Sequence, residues 1–210
     1  MFPLFARATR IAVCLVAVGL LSACASGLQV RSDEDPGADF ASYRTWNFFD
    51  ELGIEGGYSD HPADPGGRTL YGIAERYYPD AWRDGPPTLE QARAIYRRDF
   101  WDRNRLGNLA SHVIAEEVFE AGVNVGPATA ARWLQTVYNA ARPRGWVQLK
   151  VDGAVGPKTL TAVNRLLRLH PRKEQVVLTL LNCYQGVHYA ELGKPEFLDG
   201  WVLRRVVPER

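Results

Sequence analysis

The sequence is short of cysteine and methionine, with three and one in 210 residues, and it has no excess of either charge, 25 lysines and arginines facing 24 aspartates and glutamates. A balanced charge leaves no net field to draw the chain onto nucleic acid, so no nucleic-acid partner is expected. The four histidines, His61, His112, His170 and His188, show no metal-ligand spacing. No metal and no cofactor are expected. The apolar run from Ile11 to Leu21 is too short for a bilayer span. What remains, 46% apolar and 23% charged residues, is the composition of a globular chain with a sizeable core.

That apolar run has another meaning. Arg7 and Arg10 precede it and small residues follow, which is the layout of a secretory leader. Leu21-Ser22-Ala23-Cys24 resembles a bacterial lipobox, which implies cleavage before Cys24, lipidation of its sulfur and firm membrane attachment through the acyl chains. A plain signal peptide cut nearby is the alternative. Ala25 in place of aspartate resembles lipoproteins passed to the outer membrane, so the expected location is the periplasm, anchored there. With Cys14 lost and Cys24 acylated, Cys183 is left alone and forms no intramolecular disulfide. It falls in VVLTLLNCYQGV, whose apolar positions Val176, Val177, Leu180, Leu181, Tyr184 and Val187 recur at helical spacing. Cys183 therefore reads as a residue flanking the core and not as a nucleophile.

Residues 1–23 are thus expected to be a signal peptide and 24–50 a lipidated tether, polar and acidic at first and then aromatic. Phe40, Tyr43, Thr45 and Trp46 resemble a short segment of the domain of unknown function 4136. From Thr88 onward five stretches carry apolar stripes at three- and four-residue spacing, predicting a mostly α chain. Thr88 with Gln91 makes a capping-box pattern, and Pro127 and Pro157 each follow a glycine where a first helical turn would lie. VGPAT at 125–129 and VGPKT at 155–159 read as two helices begun by the same chemistry, not as a repeat, because their continuations differ. Val151-Asp152-Gly153 reads as a turn ordered by its aspartate.

One stretch breaks the helical pattern. Glu55 to Ile73 reads EGGYSDHPADPGGRTLYGI, an irregular Gly/Pro-rich loop with room for a small hairpin. A glutamic acid kept neutral by apolar surroundings is what glycosidic cleavage needs to protonate a leaving oxygen. Asp64, nine positions on, is able to return toward it and handle water or the cationic transition state, while Thr69 orients the water. Glu55 as an ordinary surface residue and Asp64 as a turn cap are the competing readings.

The spacing E-G-G-Y, D-P-A-D-P-G-G-x-T and Y-G-I resembles glycoside hydrolase family 108, bacterial and phage N-acetylmuramidases, and the step from Glu to Asp and Thr is similar to that of phage-type lysozymes. The resemblance continues through Ile95 to Trp101, through Phe119 to Gly126 (FEAGVNVG), through VDGAVGPKT and through Gly200-Trp201-Val202-Leu203-Arg204-Arg205, covering residues 52 to 206. It implies a lysozyme-like single domain, with a muramidase region at 51–124 and a peptidoglycan-binding region at 125–206 packed in the same domain. Glu55 is then the general acid, with Asp64 and Thr69 in support. Tyr58, Tyr71 and Trp101 are candidate aromatic faces for sugar rings, though an aromatic at helical spacing is more often core. Glu120, Asn124, Gln135 and Asp152 are candidate glycan contacts, the last three with adequate roles as cap or turn residues.

Two features depart from the family. Glu120 stands where aspartate is usual, and Asp50 and Glu51 stand in the segment before Glu55 where apolar residues are expected. The expected activity is hydrolysis of the β-1,4 bond between N-acetylmuramic acid and N-acetylglucosamine by a monomer acting on peptidoglycan strands. A non-catalytic peptidoglycan-binding lipoprotein and a lytic transglycosylase are the alternatives.

Overall fold

The computed structural model describes residues 57–60 and 66–206. All of them fall within one compact unit, Pro36–Arg210. Glu55, Asp64, Cys24 and the whole tether therefore lie outside the described residues.

The Gly/Pro-rich stretch does form a hairpin. Strand β1 (Thr69–Leu70) pairs antiparallel with β2 (Ile73–Ala74), with Thr69 opposite Ala74 and Leu70 opposite Ile73. The two residues between them, Tyr71 and Gly72, have φ of 52° and 72°. Positive φ at both central positions is the turn geometry whose twist matches that of paired strands. Gly72 is required twice over, because a Cβ there would also stand 2.2 Å from the Tyr96 hydroxyl. That hydroxyl donates to the Tyr71 carbonyl at 3.1 Å and docks the turn onto the first helix. At the open end of the hairpin Arg68 grips Glu75 through two hydrogen bonds of 2.8 and 2.6 Å. The Arg68 guanidinium also lies 5.0 Å over the Trp82 ring, whose indole N–H donates to the Ile73 carbonyl.

Helix α1 (Leu89–Tyr96) starts with the capping box its sequence announces: the Gln91 N–H donates to Thr88 Oγ1 and the Thr88 N–H to Gln91 Oε1. A π-helical turn, Arg97–Asp102, continues it and turns Trp101 inward. Ser111 caps α2 (His112–Val125) by accepting from the Ile114 N–H. Gly126, at φ 85°, breaks the chain direction, and Pro127 opens α3 (Pro127–Ala141). The second Gly-Pro pair opens α4 (Pro157–Leu169), but Gly156 sits at φ −87°. The two VGP segments thus share a helix-starting proline and differ in backbone, as expected of similar chemistry without a repeat.

Helix α5 (Arg172–Glu191) corrects the stripe read from sequence. Val177, Leu181, Gln185 and Tyr189 face inward, while Val176, Tyr184 and Val187 are exposed. The buried face advances by four residues at a time, and an amide takes one of its places. Cys183 is exposed on this helix. Tyr184 stacks on Trp133 of α3 at 5.8 Å. A short helix α6 (Pro195–Trp201) and a closing π-helical turn complete the described chain.

One continuous core runs from Ile73 to Leu181, centred on fully buried Phe119, Ile114, Leu134 and Leu166. Burying side chains of this size contributes about 1.5–3 kcal/mol each. Polar ties join its two halves: Asn164 of α4 accepts from the Ala110 N–H at 2.8 Å and donates to the Asn108 carbonyl at 2.7 Å. Asn104 donates to the Pro127 carbonyl across the α2–α3 break. Among the described residues no helix is long and apolar enough to cross a membrane. The architecture is mostly α and lysozyme-like in kind, with the hairpin as its β element.

Candidate active site and adjoining groove

The described candidate residues gather in three places. The first is the hairpin, which carries Tyr58, Thr69 and Tyr71. Ser59 and Thr69 exchange both backbone hydrogen bonds, at 2.9 and 2.8 Å, so the loop between them is closed at its ends. The Thr69 hydroxyl donates to the Gly67 carbonyl at 3.3 Å, leaving its lone pairs to other donors. Tyr58 is more than half exposed, its ring 6.5 Å from that of Trp82. Tyr71 is half-buried against the core.

Trp101 does not belong with them. It is 3% exposed and meets Phe119 edge to face at 5.8 Å, with no face open to a sugar ring. The π-helical turn after α1 rotates it into the core, and an aromatic of this area gains more from burial than any exposed site returns.

The second place is α2. Glu120 is half-buried, and one turn on Asn124 donates its side-chain amide to the Glu120 carbonyl at 2.9 Å. One turn before Glu120 lies a residue the sequence reading passed over. Glu117 is 8% exposed, and its Oε1 has no hydrogen-bond partner. Burial, with the charge of Glu120 adding to it, pushes its carboxyl up to about 8, so it is neutral at neutral pH. The signal was present in the sequence. Glu117 lies three residues after Ile114 and four before Ala121, within the stripe that faces the core.

The third place is the segment between α3 and α4. Gln135 was expected as a glycan contact, but it is 1% exposed and wholly engaged inside. Its Nε2 donates to Asp152 Oδ1 at 2.8 Å, the Ala154 carbonyl at 3.0 Å and Thr159 Oγ1 at 3.2 Å, and its Oε1 accepts from the Gly153 N–H at 3.0 Å. A buried amide with every group satisfied is a structural tie, here holding the 152–154 turn. Asp152 is exposed, but its Oδ1 is shared between Gln135 and the Ala154 N–H. These bonds hold its carboxyl below the usual range. Its expected turn role is what the structure shows. Asn139 clamps the same segment farther up, donating to the Leu149 carbonyl and accepting from the Leu149 N–H, both at 2.8 Å.

Held in this way, the segment forms one wall of a groove of about 580 Å³, lined among others by Tyr138, Trp146, Lys150, Lys158 and Arg165. The Arg165 guanidinium carbon lies over the Trp146 ring, 4.4 Å from its centroid. Its cue in the sequence was the cation-rich, aromatic run ARPRGWVQLK, whose partner cations on α4 lie too far along the chain for spacing to connect.

No group of histidine, cysteine and acidic side chains among the described residues is arranged to hold a metal. Comparison with known proteins covers both regions. Residues 50–126 match the Glycosyl hydrolase 108 family and residues 124–206 match the Predicted Peptidoglycan domain. No curated protein sequence matches. Among the solved structures that do is SagA of Brucella abortus, 29% identical, with a TM-score of 0.53 over 80% of this chain and 90% of that one. Residues 50–126 thus form a glycosyl hydrolase 108 region and residues 124–206 a predicted peptidoglycan domain, a pairing that supports a glycosidase acting on peptidoglycan.

Proposed function

We propose that the chain is an N-acetylmuramidase, hydrolysing the β-1,4 bond between N-acetylmuramic acid and N-acetylglucosamine with Glu55 as general acid. The observation that carries this reading is the paired Ser59 and Thr69. In the sequence Glu55 stands four residues before Ser59 and Asp64 falls between Ser59 and Thr69, so this pairing supports a role for Thr69 within the motif. The Glu55 carboxyl gives its proton to the glycosidic oxygen as the bond from that oxygen to the anomeric carbon breaks. Water bonds to the anomeric carbon, and Asp64 either takes the water's proton or stabilises the cationic transition state as a carboxylate. Thr69, whose hydroxyl proton is turned to Gly67, presents lone pairs to that water. Tyr58 and Tyr71 flank Thr69 and offer ring surface to the sugars.

The family places the chain's substrate outside the cytoplasm. Lipidation at Cys24, a tether at 24–50 and residence at the outer membrane complete the proposal. The division into a muramidase region at 51–124 and a peptidoglycan-binding region at 125–206 belongs to it as well.

Mass spectrometry of muropeptides from digested sacculi tests the chemistry. Hydrolysis leaves reducing N-acetylmuramic acid ends, and Glu55→Gln is expected to lose about 10²–10⁴ in rate while keeping its fold by circular dichroism. Anhydro ends would replace hydrolysis by transglycosylation, and undigested sacculi would leave a binding protein. A folded Glu55→Gln variant digesting at wild-type speed would remove Glu55 from its role.

A further inference from the structure

We propose that the groove between α3 and α4 binds the carboxylate-bearing peptide stems of peptidoglycan, as a site of its own in the C-terminal region. The inference rests on the chain's acting on peptidoglycan, and it assigns a part of that polymer other than the glycan bond to be cut.

Charge is the first ground. Three cations, Lys150, Lys158 and Arg165, line the groove against one acid, Asp152, whose Oδ1 is already taken up by Gln135 and the Ala154 N–H. Lys158 and Arg165 make no ion pair among the described residues. An uncharged N-acetylglucosamine chain gives such cations nothing to pair with. The wall's stem peptides carry several free carboxylates on short aliphatic residues and meet both the cations and the apolar lining.

Spacing is the second ground. Lys158 and Arg165 are seven residues apart on α4, two turns on one face, or about 10 Å along the axis at the usual rise. An extended peptide covers the same distance in about three residues. Two carboxylates of one stem thus reach both cations, with Thr161 and Ala162 of the groove beneath the span.

Preorganisation is the third. The Arg165 guanidinium is held over the Trp146 ring, 4.4 Å from its centroid, and a guanidinium offers a carboxylate a two-bond grip. Trp146 is itself held, its carbonyl accepting from Arg142 Nε at 3.2 Å and its ring resting 5.7 Å from that of His170. The Tyr138 hydroxyl donates to the Val147 carbonyl at 3.2 Å, and the Asn139 and Gln135 clamps fix the rest of the wall. A groove of about 580 Å³ that is set before binding lies within the ordinary range for ligand sites.

The test titrates the purified chain with the synthetic tetrapeptide L-Ala-γ-D-Glu-meso-diaminopimelate-D-Ala, following the heat of binding and Trp fluorescence. Saturable binding is expected that weakens with added salt, and a dissociation constant raised at least tenfold in the double variant Lys158→Gln/Arg165→Gln. Both side chains are exposed, so the variant is expected to fold, and Lys158→Gln alone gives a milder second reading of the same effect. An N-acetylglucosamine tetramer is expected not to displace the peptide. The proposal is overturned if the tetrapeptide does not bind, if the variants bind it as well as the native chain does, or if inorganic phosphate at equal ionic strength competes as effectively. The muropeptide digest keeps the two readings apart. A chain that cuts sacculi and ignores the tetrapeptide refutes the groove alone, whereas one that binds it and cuts nothing refutes the muramidase reading and leaves the groove standing.

Discussion

Replacing Glu117 by glutamine is expected to remove a pH-dependent weakness from the core. The side chain is 8% exposed, and burial followed by the Glu120 charge raises its carboxyl from 4.5 to about 8. The folded state therefore holds this proton more tightly than the unfolded chain does. The stability it contributes is complete below pH 4.5 and is lost as the pH rises toward about 8, where the folded protein must ionise a buried group. At roughly 1.4 kcal/mol per unit, the loss amounts to about 3 kcal/mol by pH 7 and roughly 4–5 kcal/mol above pH 8. Glutamine has the same shape and no ionisation, so the variant escapes this loss. Denaturant unfolding of both proteins at pH 5 and pH 8 measures it, because the titrating groups other than Glu120, which is coupled to Glu117, cancel in the comparison. The variant is expected to gain roughly 3–4 kcal/mol on the wild type between the two pH values, or a melting shift of about 10 °C for a domain of this size. A gap between the two proteins that is the same at both pH values, within about 0.5 kcal/mol, would refute the buried, neutral carboxyl.

Gly72→Ala places a methyl 2.2 Å from the Tyr96 hydroxyl at a φ of 72°, and is expected to destabilise by more than about 1 kcal/mol in thermal melts while lowering turnover by displacing Thr69. Gln135→Leu leaves the Gly153 N–H without its acceptor and removes one of the two donors to Asp152, at about 2–4 kcal/mol, with protease cleavage expected at the 150–156 turn. Cys24→Ala is expected to move the chain from the membrane fraction to the soluble one with its activity kept; sedimentation with the outer membrane would refute lipidation there.

Much of the architecture was legible because its causes are local. Thr88 and Gln91 satisfy each other's amides within one turn, Pro127 and Pro157 start helices by what they cannot do elsewhere, and Asp152 bonds an amide two residues away. The family motif, too, is a matter of spacing along the chain. The sequence by itself determined that the chain is mostly helical, that a hairpin interrupts it near Thr69, and that it belongs with glycosidases of the cell wall. Only the tertiary structure decided which side chains of a given type face inward. Trp101 and Tyr58 are both aromatics beside a motif, yet one fills the core and the other meets solvent, because a π-helical turn rotates the first. Gln135 and Glu117 are polar residues on helices with mixed faces; the apolar stripe marks Glu117 as inward-facing, but only the fold decides that Gln135 finds a partner for each of its groups while Glu117 Oε1 finds none. The groove is the same kind of fact. Trp146 and Arg165 stand nineteen residues apart in sequence, and they form one surface only because α3 and α4 bury their apolar faces in a common core. Local pattern marks which face of a helix turns inward, but which distant side chains meet there depends on contacts far apart along the chain.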